Sequence, residues 1–163
     1  MNAGVLENID GMGNTGNFVS VDGSDFLYKG TNTTATNIDI VVSYGKRFYQ
    51  WVDETNPDAK VFNNSDTKLN DNYKLKFEVR WLEQGEEEGD EPVEYTISLS
   101  TTSAMQFIDY VKNLQKAGLG VSQVWTRMTI SRHENKSKDR YSRVDFEAFS
   151  LVDGQPLNIR SAK

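Results

Sequence analysis

Residues 93–114, VEYTISLSTTSAMQFIDYVKNL, contain the change of period on which the fold turns. Val93, Tyr95, Ile97 and Leu99 alternate with Glu94, Thr96 and Ser98, the period-two signature of a strand with one dry face. Thr101, Thr102 and Ser103 then supply hydroxyls suited to a helix N-terminus, and Phe107, Tyr110, Val111 and Leu114 recur at helical spacing. Lys112 and Lys116 fall in the last turns, where the helix dipole favours cations, and Gly118 offers a left-handed cap. A strand therefore runs directly into one helix.

On the N-terminal side, Leu75, Phe77, Val79 and Trp81 alternate with Lys74, Lys76, Glu78 and Arg80, which predicts a second strand paired with the first across an acidic loop. Further upstream, residues 37–52, NIDIVVSYGKRFYQWV, read as one long bent strand. Ile38, Ile40, Val42 and Tyr44 share a face, and the phase changes at a bulge beside Gly45. Residues 18–28 suggest a short hairpin turning at Asp22-Gly23, and residues 53–72 a long loop. On the C-terminal side, residues 124–151, VWTRMTISRHENKSKDRYSRVDFEAFSL, form two strands, 125–133 and 141–149, around the polar ENKSKDR. Met128 and Ile130 would face Val144, Phe146 and Ala148 in the core.

The chain is thus mainly β. Three strands, a helix and a closing pair is the order of an OB-fold, so a five-stranded OB-fold-like barrel is expected, with one helix before the closing hairpin and an extra hairpin early in the chain. The 163 residues suit one domain. Residues 1–17, rich in Gly and Asn, read as a flexible arm, residues 18–152 as the domain, and residues 153–163 as a solvated tail.

Composition narrows the function. With no cysteine, disulfides, thiolate metal sites and a cysteine nucleophile are excluded. The first residues show neither a basic n-region nor an apolar h-region, and no apolar run approaches the roughly 18 residues that span a bilayer. A cytoplasmic protein without membrane partners is expected. The net charge of −6 argues at first against a polyanion as partner. Its distribution argues otherwise: Glu83, Glu86, Glu87, Glu88, Asp90, Glu91 and Glu94 form an acidic run without a base, and removing them leaves the remainder at +1. Residues 124–143 carry six bases against Glu134 and Asp139, a net of +4.

Catalytic signatures are missing from the sequence. There is one histidine, His133, which sits beside Arg132 without an evident partner, and no phosphate loop, H-E-x-x-H or G-x-S-x-G element. The acidic run lacks the ordered spacing of a calcium loop. No cofactor and no metal are expected. The three Asn-x-Ser/Thr matches, at Asn32, Asn63 and Asn135, read as chance in a chain without a secretory signal.

The informative constellation is the outer face of the last hairpin. Alternation turns Trp125, Arg127, Thr129, Ser131 and His133 outward, with Tyr141 and Arg143 on the partner strand. Exposed rings stack on unpaired bases at roughly 1–3 kcal/mol per base, and Arg meets phosphate. Trp125 is either such a platform or the closing residue of the core. Arg132, Lys136, Lys138 and Arg140 extend the basic hairpin. A second candidate cluster comprises Lys46, Arg47, Tyr49 and Trp51, with Phe48 as an alternative ring. Lys74, Lys76 and Arg80 either extend a positive track or form an ordinary solvated face.

Residues 93–114 and 124–151 together resemble phage-encoded single-stranded DNA-binding proteins with an OB-fold. The resemblance covers about residues 75–150 and is one of pattern: a strand, a Ser/Thr-rich entry into one helix, and a closing hairpin with a basic, aromatic-flanked loop. It implies coating and protection of single-stranded DNA in replication or recombination, self-association along the strand, and contact with replication proteins. RNA is the other candidate ligand. Many such proteins end in an acidic tail, whereas this sequence ends NIRSAK. The competing readings are a β-rich viral structural or assembly protein, whose exposed rings make subunit contacts, and a carbohydrate-binding sandwich. An enzyme would need acids such as Asp145 and Glu147 to converge in a cleft.

Overall fold

The computed structural model describes residues 17–51, 64–84, 87–157 and 159. Among them are ten strands and one α-helix, in the order β1 (Phe18–Asp22), β2 (Asp25–Tyr28), β3 (Thr33–Ala35), β4 (Asn37–Ile40), β5 (Val42–Trp51), β6 (Asn64–Ser65), β7 (Tyr73–Glu83), β8 (Val93–Leu99), α1 (Thr101–Lys116), β9 (Val124–Glu134) and β10 (Arg140–Ser150). The chain is mainly β. One sheet has the order β3-β2-β1-β8-β7-β5-β6 and the other β10-β9-β4. The bent strand links them, since β4 pairs with β9, and β5, one residue later, pairs with β7.

The expected hairpins form with small shifts. The first turns at Gly23-Ser24 rather than Asp22-Gly23, because Asp22 pairs with Asp25 and Gly23 takes the positive φ of 64°. β1 also lies parallel to β8, with Phe18 opposite Thr96 and Val19 opposite Ile97. The hairpin of β9 and β10 follows the predicted alternation: Met128, Val144 and Ala148 are buried, while Ile130 and Phe146 pack against the core. All but Asn17 of the expected arm, Val52 at the end of the expected bent strand, and residues 53–63 of the expected long loop lie outside the described residues.

The bend falls earlier than expected. Register shifts between Val42 and Tyr44, not beside Gly45, so Ile38, Ile40 and Val42 are buried but Tyr44 is turned out, 41% exposed. Gly45 has a different reason. A Cβ there would lie 2.9 Å from Cε1 of Phe77, whose ring covers the strand.

The core joins α1 to both sheets. Phe107 contacts the rings of Phe77, Tyr110 and Phe146 at centroid separations of 4.9, 6.2 and 5.1 Å. Helix α1 ends in a Schellman motif: Leu119 N–H donates to Leu114 O and Gly118 N–H to Gln115 O, with Gly118 at φ 80°. The hydroxyls at its start do not cap it. Ser100 is the N-cap and makes no side-chain capping bond. Thr101 donates to Leu75 O at 2.8 Å, and Ser103 accepts from Val144 N–H at 2.9 Å, so these hydroxyls tie the helix to strands.

The expected tail is partly structured. Pro156 bridges to Phe149, Leu157 N–H donates to Ala148 O, Ser150 N–H donates to Gln155 O, and Leu157 and Ile159 pack against the core. No helix among the described residues is long and apolar enough to cross a membrane.

Candidate nucleic-acid interface

The outer face of the β4-β9-β10 sheet gathers the residues that alternation turns outward on the last hairpin. Trp125, Arg127, Thr129, Ser131 and His133 project from β9, opposite Phe149, Glu147, Asp145, Arg143 and Tyr141 on β10. Asn37 and Asp39 of β4 flank them.

Two predicted ligand arginines are already engaged. Arg127 holds Asp39 in a two-pronged pair, Nε to Oδ1 at 2.8 Å and Nη2 to Oδ2 at 3.1 Å, and its guanidinium lies 4.5 Å from the centre of the Phe149 ring. That bond to Asp39 holds the Arg127 pKa above its usual range. Arg143 Nε donates to Asp145 Oδ1 at 2.6 Å. Both arginines sit where alternation placed them, but Arg127 opposes a carboxylate brought close by strand pairing and Arg143 one two residues along its own strand.

The far end of the hairpin differs. Arg132, Lys136, Lys138 and Arg140 are exposed, and none takes part in an ion pair among the described residues. The turn is ordered around Asn135, whose Oδ1 accepts from the N–H groups of Ser137 and Asp139, each at 2.9 Å. Lys138 takes the left-handed conformation, φ 64°. Arg132 Nη1 donates to Ser142 Oγ at 2.6 Å, and that hydroxyl donates to Gly23 O, tying β10 to the first hairpin. Beside the turn, His133 and Tyr141 stack at 5.6 Å with 26° between their planes.

Ser131, His133 and Asp145 also meet on this face. Ser131 Oγ donates to Asp145 Oδ2 at 2.5 Å and lies 2.7 Å from His133 Nε2. A hydroxyl has one proton, and Asp145 takes it, so the imidazole must donate to Oγ rather than accept from it. That is the reverse of a serine activated by a histidine base. Among the described residues no group of three or more His, Asp or Glu could hold a metal ion.

Trp125 lies at the other end of β9, 41% exposed. It borders a hollow of about 260 Å³ with Asp39, Arg127, Phe149 and Gly154, and another of about 530 Å³ that includes Leu82 and Gln84.

Alternation along β5 divides the second cluster between two faces. Tyr44, Lys46 and Phe48 line a groove of about 380 Å³ with Asn64, Asp66, Glu78 and Arg80. Arg47, Tyr49 and Trp51 belong to the opposite face, in register with Phe77, Leu75 and Tyr73. There Tyr49 and Trp51 are half-buried and Arg47 is exposed. In the groove Lys46 pairs with Asp66 at 3.6 Å. Arg80 pairs with Glu78 at 2.7 Å and Glu94 at 3.8 Å, and lies 4.6 Å from the centre of the Tyr44 ring. Lys74 and Lys76 are half-buried, and burial lowers the Lys76 pKa. The positive track from Lys74 to Arg80 is thus interrupted by acids. Tyr44, expected to face inward, and Phe48, the alternative ring, become groove residues, so the alternative ring and not Tyr49 or Trp51 lines the groove.

Glu83 also departs from the solvated loop expected for its run. It accepts bonds from Tyr28 Oη and Trp81 Nε1, both at 2.9 Å, which fixes the base of the β7-β8 hairpin.

The chain has no match. No family model, curated protein or solved structure is matched by it, so the resemblance to phage single-stranded DNA-binding proteins rests on sequence pattern alone.

Proposed function

We propose that this domain binds single-stranded nucleic acid, DNA in the reading the resemblance favours, through the tip of the β9-β10 hairpin. One observation carries the proposal: Arg132, Lys136, Lys138 and Arg140 are exposed without ion-pair partners among the described residues, beside the stacked His133 and Tyr141. Cations free of acids can neutralise phosphates, and an accessible ring face can take a base. Arg127, spent on Asp39, ties β9 to β4 in the sheet that presents the tip, and Arg143 is spent on Asp145 of its own strand.

The strand pairings support an OB-like reading. The bent β4-β5 strand pairs at its two ends with β9 and β7, β7 continues to β8, and β9 to β10. Among the described residues no ladder joins β10 to β1 or β8; bonds from Ser142 Oγ to Gly23 O and from Val144 N–H to Ser103 Oγ span that seam. OB-folds are partly open Greek-key barrels, which leaves room for such a seam. The role in replication or recombination, with self-association and contacts to replication proteins, follows the resemblance.

The deciding experiment is a fluorescence-anisotropy titration of a labelled oligonucleotide at two salt concentrations. Binding that weakens steeply with salt is expected. An absence of salt-sensitive binding at micromolar protein overturns the proposal. The assembly reading is favoured by Leu82, 55% exposed, sharing a hollow with Trp125; a large closed assembly indifferent to oligonucleotide would select it.

A further inference from the structure

The free edge of β10 is covered unevenly. Val144 N–H goes to Ser103, Ala148 O accepts from Leu157, and Ser150 N–H goes to Gln155 O. Even-numbered residues of this strand therefore aim their backbone groups away from β9, and alternation places the N–H and C=O of Phe146 in the same direction. Neither has a partner among the described residues. Residues 155–157 lie along the edge as a short added strand, but Ile159 N–H donates to Leu157 O at 2.9 Å rather than to Phe146 O, so among the described residues the ladder does not reach Phe146.

Phe146 sits in a groove of about 580 Å³ between α1 and β10, bordered by Asp109 and Asn113 of the helix and by Leu157 and Ile159. Among the described residues its charged lining is Asp109, Asp145 and Glu147 against Arg143, and Arg143 is held by Asp145. Such lining repels phosphate and attracts cations.

We propose that this edge accepts an extended basic peptide of a partner protein as an added strand. The backbone of that peptide would bond to Phe146 N–H and C=O. Cross-strand neighbours share a face, so the peptide residue opposite Phe146 points toward Phe107 and Tyr110 and is apolar. Its two neighbours lie on the side of Asp145 and Glu147 and are lysine or arginine. The recognised pattern is basic, apolar, basic. Nothing in it depends on nucleic-acid binding at the hairpin tip.

The probe is a fluorescein-labelled peptide of alternating lysine and valine, titrated by anisotropy into the full chain, with a glutamate-valine peptide as control. The lysine peptide alone should bind, and the Phe146 amide resonance should shift on binding. Methylating the peptide nitrogens at valine, or the double substitution Asp109→Lys and Glu147→Lys, should each weaken binding at least about tenfold. The proposal is overturned if N-methylation has no effect, if the Phe146 amide does not move, or if binding is lost only when Glu87, Glu88 and Glu91 are changed to Gln. N-methylation leaves the protein unaltered, so that arm decides the matter even if the double variant is unstable.

Discussion

At the residue scale, the chemistry of a side chain depends on what pairing sets across from it. Alternation on β9 and β10 is enough to turn Arg127 and Arg143 outward. That Asp39 lies across from Arg127, 88 residues away in sequence, depends on β4 joining that sheet. Gly45 is similar: nothing local demands glycine, and the demand comes from Phe77. Gly45→Ala should cost about 1–3 kcal/mol, since a fixed ring has to move, a loss that urea denaturation would measure. The buried pair of Tyr110 Oη and Thr126 Oγ1, 2.7 Å apart, gives a pH prediction. Burial pushes the Tyr110 pKa up to about 12 from 10.0. The folded state thus retains the phenol proton that the unfolded chain loses near pH 10, so this contribution is intact below pH 10 and is lost as pH rises toward about 12. Tyr28, also raised mainly by burial, acts in the same sense. Urea midpoints should therefore fall over that window, and less steeply in Tyr110→Phe; equal slopes in the two proteins would refute the assignment.

Elements were legible where one period ran uninterrupted. The alternation in β7 to β10 and the helical spacing of α1 are local properties, and Gly118 closes the helix as its position suggested. The start of α1 was less legible, because a hydroxyl near a helix N-terminus can cap it or reach a neighbouring strand. Ser100→Ala should change stability by less than about 0.5 kcal/mol, since its side chain caps nothing. Ser103→Ala should cost about 1–3 kcal/mol by leaving the Val144 N–H buried without its acceptor. Comparable losses in the two variants would refute this division of roles. The β9-β10 turn is the element on which binding rests. Reversing Lys136, Lys138 and Arg140 to Glu should reduce the salt slope of oligonucleotide binding by about three, one for each lost phosphate contact, and weaken binding to all sequences alike. An unchanged slope would place the site elsewhere.

For the whole molecule, the arrangement of charge matters more than its sum. The acidic hairpin end is near Trp125, as Leu82, Glu83 and Gln84 share a hollow with it. The basic turn begins about ten residues further along β9, roughly 30 Å away at the rise of a strand. At physiological salt the Debye length is about 8 Å, so neutralising Glu87, Glu88 and Glu91 to Gln should alter oligonucleotide affinity by no more than about twofold. A much larger gain would mean that the acidic end folds over the binding surface. Read alone, the sequence determined the mainly β class, the place of the helix, the inner and outer faces of β7 to β10, and the separation of acidic from basic segments. Each follows from spacing or composition within a few residues. The tertiary structure decided which cations are spent on acids, where the bent strand changes face, that β1 lies along β8, and that the backbone groups of Phe146 have no partner among the described residues. The physical reason is common to all four: they depend on which strand lies beside which, a property of distant residues that local periodicity does not encode.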